Sequence, residues 1–199
     1  MLKTICIYDY GTGNYSSVEN AFKNLGCKVL ISNNFKDLDS SDGVIFPGVG
    51  SFPMAIKNIN KRNLKRKIQK LVKKQKPILG ICLGMQILTE CSDEISFTKG
   101  LSIIPGKIKY NISKIPNIGW KKIKFNSSKS KYDILNNQYF YFLHNLSYKG
   151  PTKYQKAIST KPFKVTAIIE KNNVVGVQFH PEKSQFSGKK FLSIFLGIN

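Results

Sequence analysis

Read from its N-terminus, the chain alternates short apolar runs with amphipathic stretches. Thr4-Ile5-Cys6-Ile7-Tyr8 is a continuous run that predicts a buried strand. The loop Asp9-Tyr10-Gly11-Thr12-Gly13-Asn14 follows. Ser16 and Glu19 then predict a capping box for a helix with the apolar stripe Val18, Ala21, Phe22 and Leu25, stopped by Gly26. A second strand is predicted over 28–32. A third, Gly43-Val44-Ile45-Phe46, ends in Pro47-Gly48-Val49-Gly50. Leu64, Ile68, Leu71 and Val72 fall at helical spacing, and Pro77-Ile78-Leu79-Gly80-Ile81 is a fourth strand. The second half is richer in strands, predicted over 139–143, 165–169 and 174–178, with a closing helix over 188–196. Strands separated by helices imply parallel βαβ units. The expected fold is therefore α/β and flavodoxin-like: one domain over 1–199, with an open, mostly parallel sheet and helices on both faces.

Charge is the first feature to complicate this outline. The chain carries 32 basic and 11 acidic residues, a net charge of +21. A nucleic-acid partner is the obvious thought. Yet Arg62 and Arg66 are the only arginines, and arginine is the residue suited to bidentate phosphate and base contacts. Residues 57–76 hold ten basic and no acidic side chains, but their apolar positions keep a helical period. The lysines there read as the solvated face of a helix, or as a docking face for an acidic partner. No nucleic-acid partner is expected. With 41% hydrophobic and 12% aromatic residues the chain can build a real core. No apolar run approaches the roughly 20 residues that span a bilayer, and the first residues after Met1 lack a signal-peptide core. A cytoplasmic location without membrane attachment is expected. The four cysteines show no CxxC spacing and there are only two histidines, so no metal site is expected.

In an open parallel sheet, sites gather at the carboxyl ends of strands. Three such ends carry unusual residues: 11–14, 47–50 and Cys82. Gly80-Ile81-Cys82-Leu83-Gly84 follows a buried strand and opens a helix, the cysteine form of a nucleophile elbow. The start of a helix favours a thiolate, and the Leu83 N–H is placed to act as an oxyanion donor. An isolated free cysteine is ordinarily a small core residue; the flanking glycines and the strand-to-helix position favour the nucleophile. Cys6, Cys27 and Cys91 lack that setting and read as structural. His180, directly after a strand in Phe179-His180-Pro181-Glu182, is the candidate base, with Glu182 to orient it. His144 ends the aromatic run Tyr139-Phe140-Tyr141-Phe142-Leu143, either as a pocket wall or as a satisfied buried histidine. Gly11-Thr12-Gly13 lacks the third glycine of a dinucleotide fingerprint, because Ser16 stands there.

Gly80-Ile81-Cys82-Leu83-Gly84-Met85-Gln86 together with Phe179-His180-Pro181-Glu182 resembles the triad-type, class I glutamine amidotransferases. Asp9-Tyr10-Gly11-Thr12-Gly13-Asn14, Pro47-Gly48-Val49-Gly50-Ser51-Phe52, Gly100-Leu101, Ile104-Pro105-Gly106, Lys114-Ile115-Pro116, Gly119-Trp120 and His180-Pro181-Glu182-Lys183-Ser184 are similar to the glutaminase subunits of imidazole glycerol phosphate synthases. The resemblance runs from end to end. It implies that Cys82, His180 and Glu182 hydrolyse glutamine through a thioester, with Val49, Gly50 and Leu83 as the oxyanion hole. It also implies that the 48–50 strand reorients for catalysis. Gly48, Gly50, Gln86, His144 and Asn145 match positions that line the glutamine pocket. Asn14 and Lys183 match positions that face a partner, a (β/α)8-barrel cyclase subunit that takes up the ammonia in histidine biosynthesis. No metal or organic cofactor is implied.

The chain departs from that pattern at Asn117, where the family has His. Lys121 replaces Asn, and Asn145-Leu146 replaces Ser-Tyr after His144. These positions bear on the partner and the acceptor rather than on the triad. A paralogous glutaminase that supplies a surface-sugar amidotransferase fits the same residues. So does a non-catalytic binding module on the same fold, though an intact triad argues against it.

Overall fold

The computed structural model describes residues 2–11, 13–60, 63–111, 116–126 and 130–198. Met1, Thr12, Arg62, Lys114 and Ile115, all named above, lie outside the described residues. Strand β1 (Thr4–Tyr8) leads into helix α1 (Tyr15–Lys23). The cap of α1 is Asn14, not Ser16: its Oδ1 accepts from the Ser17 N–H at 3.3 Å. The chain is already helical at Ser16, so the expected capping box does not form. Glu19 instead pairs with Lys23 one turn on, at 2.7 Å. Next come β2 (Lys28–Ser32), α2 (Phe35–Ser40) and β3 (Gly43–Phe46). The basic stretch divides between the end of α3 (Phe52–Asn60) and α4 (Leu64–Lys73). Asn63 at the break is left-handed, with φ 52°. In α4, Leu64, Ile68 and Leu71 are buried and Val72 half-buried, leaving most of the cations to solvent.

Strand β4 (Ile78–Ile81) and the short α5 (Leu83–Ile87) follow. Beyond them lie β5 (Cys91–Ser92), β6 (Thr98–Lys99), β7 (Lys107–Tyr110), β8 (Asn117–Phe125), β9 (Tyr139–His144) and β10 (Leu146–Lys149). The chain ends in β11 (Gln155–Ser159), β12 (Val165–Lys171), β13 (Val174–Val177) and α6 (Gln185–Leu196).

The main sheet runs β2-β1-β3-β4-β13-β12-β11-β8-β9. From β2 to β13 the pairs are parallel; from β13 to β9 they are antiparallel. A smaller sheet has the order β10-β7-β5-β6. Alternation along the strands divides the core in two. Cys6, Tyr8, Val44 and Phe46 meet Phe52, Ile56, Ile68, Leu71 and Met85 on one face. Ile5, Ile7, Ile45 and Val177 meet Val18, Phe22, Phe191 and Leu192 on the other. Each fully buried side chain of this kind contributes about 1.5–3 kcal/mol. No helix among the described residues is long and apolar enough to cross a membrane.

One pairing positions the chemistry. β4 and β13 are parallel neighbours, with Ile81 in register with Val177. Residues that follow the two strands therefore emerge side by side at the carboxyl edge of the sheet.

Candidate active site

Cys82 stands at the turn between β4 and α5 with φ 51° and ψ −104°. That is a costly conformation for a side chain of any size, and such strain persists only where neighbours enforce it. Here the enforcement is close backbone packing. A Cβ on Gly84 would lie 1.9 Å from the Phe46 carbonyl oxygen, and one on Gly48 would lie 2.5 Å from the Gly84 nitrogen. The end of β3 and the elbow thus interlock without side chains between them, and Pro47-Gly48-Val49-Gly50 lies against the nucleophile. The Leu83 amide falls in the first turn of α5, where N–H groups have no intrahelical acceptor. At five residues α5 is short, so its macrodipole adds little to the sulfur's activation.

The second half of the site comes from the end of β13. The side chains of His180 and Glu182 are 2% and 3% exposed, so the 2.7 Å contact between His180 Nδ1 and Glu182 Oε1 is dry. A carboxylate only accepts, so Nδ1 carries the proton and Nε2 is left as the base. Nε2 is buried without a hydrogen-bond partner. Burial pulls the His180 pKa down, but Cys82 and Glu182 beside it outweigh burial and raise it to about 10. The arrangement favours an imidazolium next to the sulfur.

These residues open on a cleft of about 340 Å³ lined by Gly48, Val49, Gly50, Cys82, Leu83, Gln86, His144, Asn145 and His180. Cys82, His180 and all the expected oxyanion and pocket positions therefore line one cavity, while Glu182 lies behind His180 and reaches the cleft only through that ring. Asn14 and Lys183 are exposed at the same end of the sheet, where α1 lies against the 181–183 turn. His144 is buried but not charged. Its desolvation lowers its pKa to about 4. Nδ1 contacts the Leu146 carbonyl at 2.7 Å, and Nε2 lies 2.9 Å from Asn117 Nδ2. The carbonyl requires a proton on Nδ1, so the neutral ring accepts from Asn117 at Nε2.

Sequence reasoning missed part of the lining. Glu94, Tyr110, Leu143 and Leu146 also face the cleft. Glu94 is brought there by the small sheet, where its Oε2 accepts from the Phe52 N–H at 2.6 Å. Strands β8 and β9 also present Ile118, Trp120, Tyr139 and Leu143, each more than a third exposed; Phe186 is 73% exposed and lines a separate hollow with Trp120 and Tyr139. Among the described residues, no group of three or more His, Cys, Asp or Glu side chains is gathered to hold a metal ion.

A strained cysteine at a strand-to-helix turn, a dry histidine–carboxylate pair and two facing backbone segments on an α/β sheet are the arrangement that thiol amidohydrolase chemistry requires. The family model for class-I glutamine amidotransferases matches residues 6–196, and the chain belongs to that family. It is 41% identical over 199 residues to the imidazole glycerol phosphate synthase subunit HisH 2 of Vibrio vulnificus, covering 96% of this chain and 93% of that one. With the HisH subunit of Bacillus cereus strain AH187 the identity is 38% over 200 residues, covering 98% and 94%. Among solved structures, PurLQS from Thermotoga maritima superposes with a TM-score of 0.80 over 99% of both chains at 20% identity. The glutaminase domain of Trypanosoma brucei CTPS gives 0.66 over 99% and 95% at 16% identity. These two share the fold.

Proposed function

We propose that this chain is the glutaminase subunit of an imidazole glycerol phosphate synthase. It hydrolyses L-glutamine to glutamate and passes the ammonia to a (β/α)8-barrel cyclase subunit in histidine biosynthesis. The observation that carries the reading is Cys82 and His180 on one cleft, with Glu182 bonded to His180 from behind, in a chain so similar over its length to such subunits. Residues 1–199 act as one glutamine amidotransferase domain. The setting is the cytoplasm, where the four free cysteines stay reduced.

In this mechanism Cys82 Sγ yields its proton to His180 Nε2 and attacks the side-chain amide carbon of glutamine. The amide oxygen gains the charge and is met by N–H groups of Leu83 and of the Val49–Gly50 segment. The C–N bond breaks as His180 returns the proton to the leaving nitrogen, giving ammonia and a glutamyl thioester. A water, deprotonated by His180, then attacks the thioester and releases glutamate and the thiol. Glu182 holds the imidazole tautomer throughout. Gln86, Asn145, Gly48, Gly50 and the neutral His144 bind the substrate's polar groups, and the Glu94 carboxylate faces its ammonium. Asn14 and Lys183, with the exposed apolar residues of β8 and β9, form the face offered to the cyclase, so that ammonia passes between subunits without meeting bulk water. No step calls on a metal or an organic cofactor.

Deleting the gene should make the source organism require histidine, with rescue by the wild-type chain and not by Cys82→Ala. A second reading sends the ammonia to a surface-sugar amidotransferase. It is favoured by Asn117, which stands where the family has His and ties its amide to His144 in the cleft wall. Unimpaired growth without histidine would overturn the first reading in favour of this one.

A further inference from the structure

Gln178 is entirely buried where β13 ends, beside the nucleophile. Its backbone N–H donates to the Ala167 carbonyl at 2.9 Å, and the Cys82 N–H donates to the Val177 carbonyl at 2.7 Å. Those two bonds fix the Gln178 backbone one residue from the elbow's own anchor. Its side chain then spends both ends of one amide on the site. Nε2 donates to Cys82 Sγ at 3.5 Å, and Oε1 accepts from Gln86 Nε2 at 3.4 Å.

The sulfur needs a donor only in one state. As a thiol it can donate to the Leu143 carbonyl, 3.8 Å away. Once the proton moves to His180, the sulfur can only accept, and the Leu143 oxygen becomes a repulsive neighbour. The α5 helix is too short to supply much dipole. A neutral amide donor meets the need, because it stabilises the anion without competing for the proton.

We propose that Gln178 holds Cys82 in its attacking, anionic state through Nε2–H while fixing the Gln86 amide at the cleft wall through Oε1. The inference rests on Cys82 being the nucleophile of the proposed reaction.

The test reads the sulfur rather than turnover. Alkylation of Cys82 by iodoacetamide is followed by mass spectrometry in the full chain without glutamine, for wild type and Gln178→Met, from about pH 5 to 10. The other three cysteines serve as internal references. Gln178→Met should alkylate about tenfold more slowly near neutral pH, with its profile moved to higher pH. A profile that superposes on wild type overturns the proposal. So does faster alkylation, the sign expected of a side chain that only packs and whose loss loosens the site. Should Gln178→Met not fold, Gln178→Asn withdraws the amide from the sulfur by one methylene and carries the same two outcomes. Slow alkylation of Cys82 in the wild type defeats the nucleophile assignment itself, and so separates that failure from this one.

Discussion

The ends of β9 and β13 each place a histidine in the same cleft, equally hidden from water, and the two behave in opposite ways. His144 is 7% exposed and His180 is 2% exposed, so both suffer the desolvation that disfavours an imidazolium. The His144 pKa falls to about 4, because burial is opposed only by the bond to the uncharged Leu146 carbonyl, and the nearby His180 charge lowers it further. The His180 pKa rises to about 10, because its neighbours are a thiol and a carboxylate that become anions. Burial sets the stakes and the partners set the direction. One cleft thereby contains a fixed neutral hydrogen-bonding wall and a mobile proton, from residues 36 positions apart in the sequence.

The hardest blow to that contrast is Cys82→Ala. Glutamate release should fall by about 10⁴-fold or more, while circular dichroism stays unchanged. The His180 imidazole, having lost the sulfur that helps raise its pKa, should titrate at lower pH by NMR. Glu182→Gln comes next. It should lower kcat by about 10²- to 10⁴-fold and again draw the His180 titration downward; an unmoved titration would show that the carboxylate is not what raises it.

Stability against pH separates the two rings without touching chemistry. His144 has a depressed folded pKa, so its contribution is whole above about 6.5 and is lost as pH falls towards about 4. The loss amounts to about 3 kcal/mol at most. His180 has a raised folded pKa, so its contribution is present below about 6.5 and is lost as pH rises through about 10. Urea midpoints should therefore drop on both flanks, and His144→Gln should flatten only the acid one. The smallest effect belongs to Asn117→Ala, which removes the donor to His144 Nε2. It should cost about 1 kcal/mol of stability and raise KM for glutamine while leaving kcat nearly intact.

Cys82, His180 and Glu182 were more legible in the sequence than their surroundings. Cys82 is flanked by glycines that a tight elbow requires, and Glu182 is only two residues from His180, so one strand end delivers both. Gln178 is just as near to His180, yet a glutamine between two apolar residues carries no signal of what it will touch 96 positions away. Glu94 was invisible for the same reason. Its place in the cleft depends on a bond to the Phe52 amide across 42 positions. The parallel half was legible because β1, β3 and β4 are buried on both faces and read as unbroken apolar runs. Strands β7 and β8 bury only a minority of their residues, and lysines stand at most of the exposed positions. That composition looks like loop until a neighbour supplies the register.

The adjacency of β4 and β13 also bears on how the protein is made. Gly80 pairs with Gly176, so the ribosome delivers the thiol long before its partners. At synthesis rates of about 5–20 residues per second, the intervening chain takes roughly 5–20 s to emerge. During that interval β4 has an open edge and Cys82 stands without His180 and Gln178, which the end of β13 brings to it. The enzyme is born unarmed and acquires its full machinery in one late event, when β13 closes against β4. A newborn chain therefore holds no complete cleft before that closure.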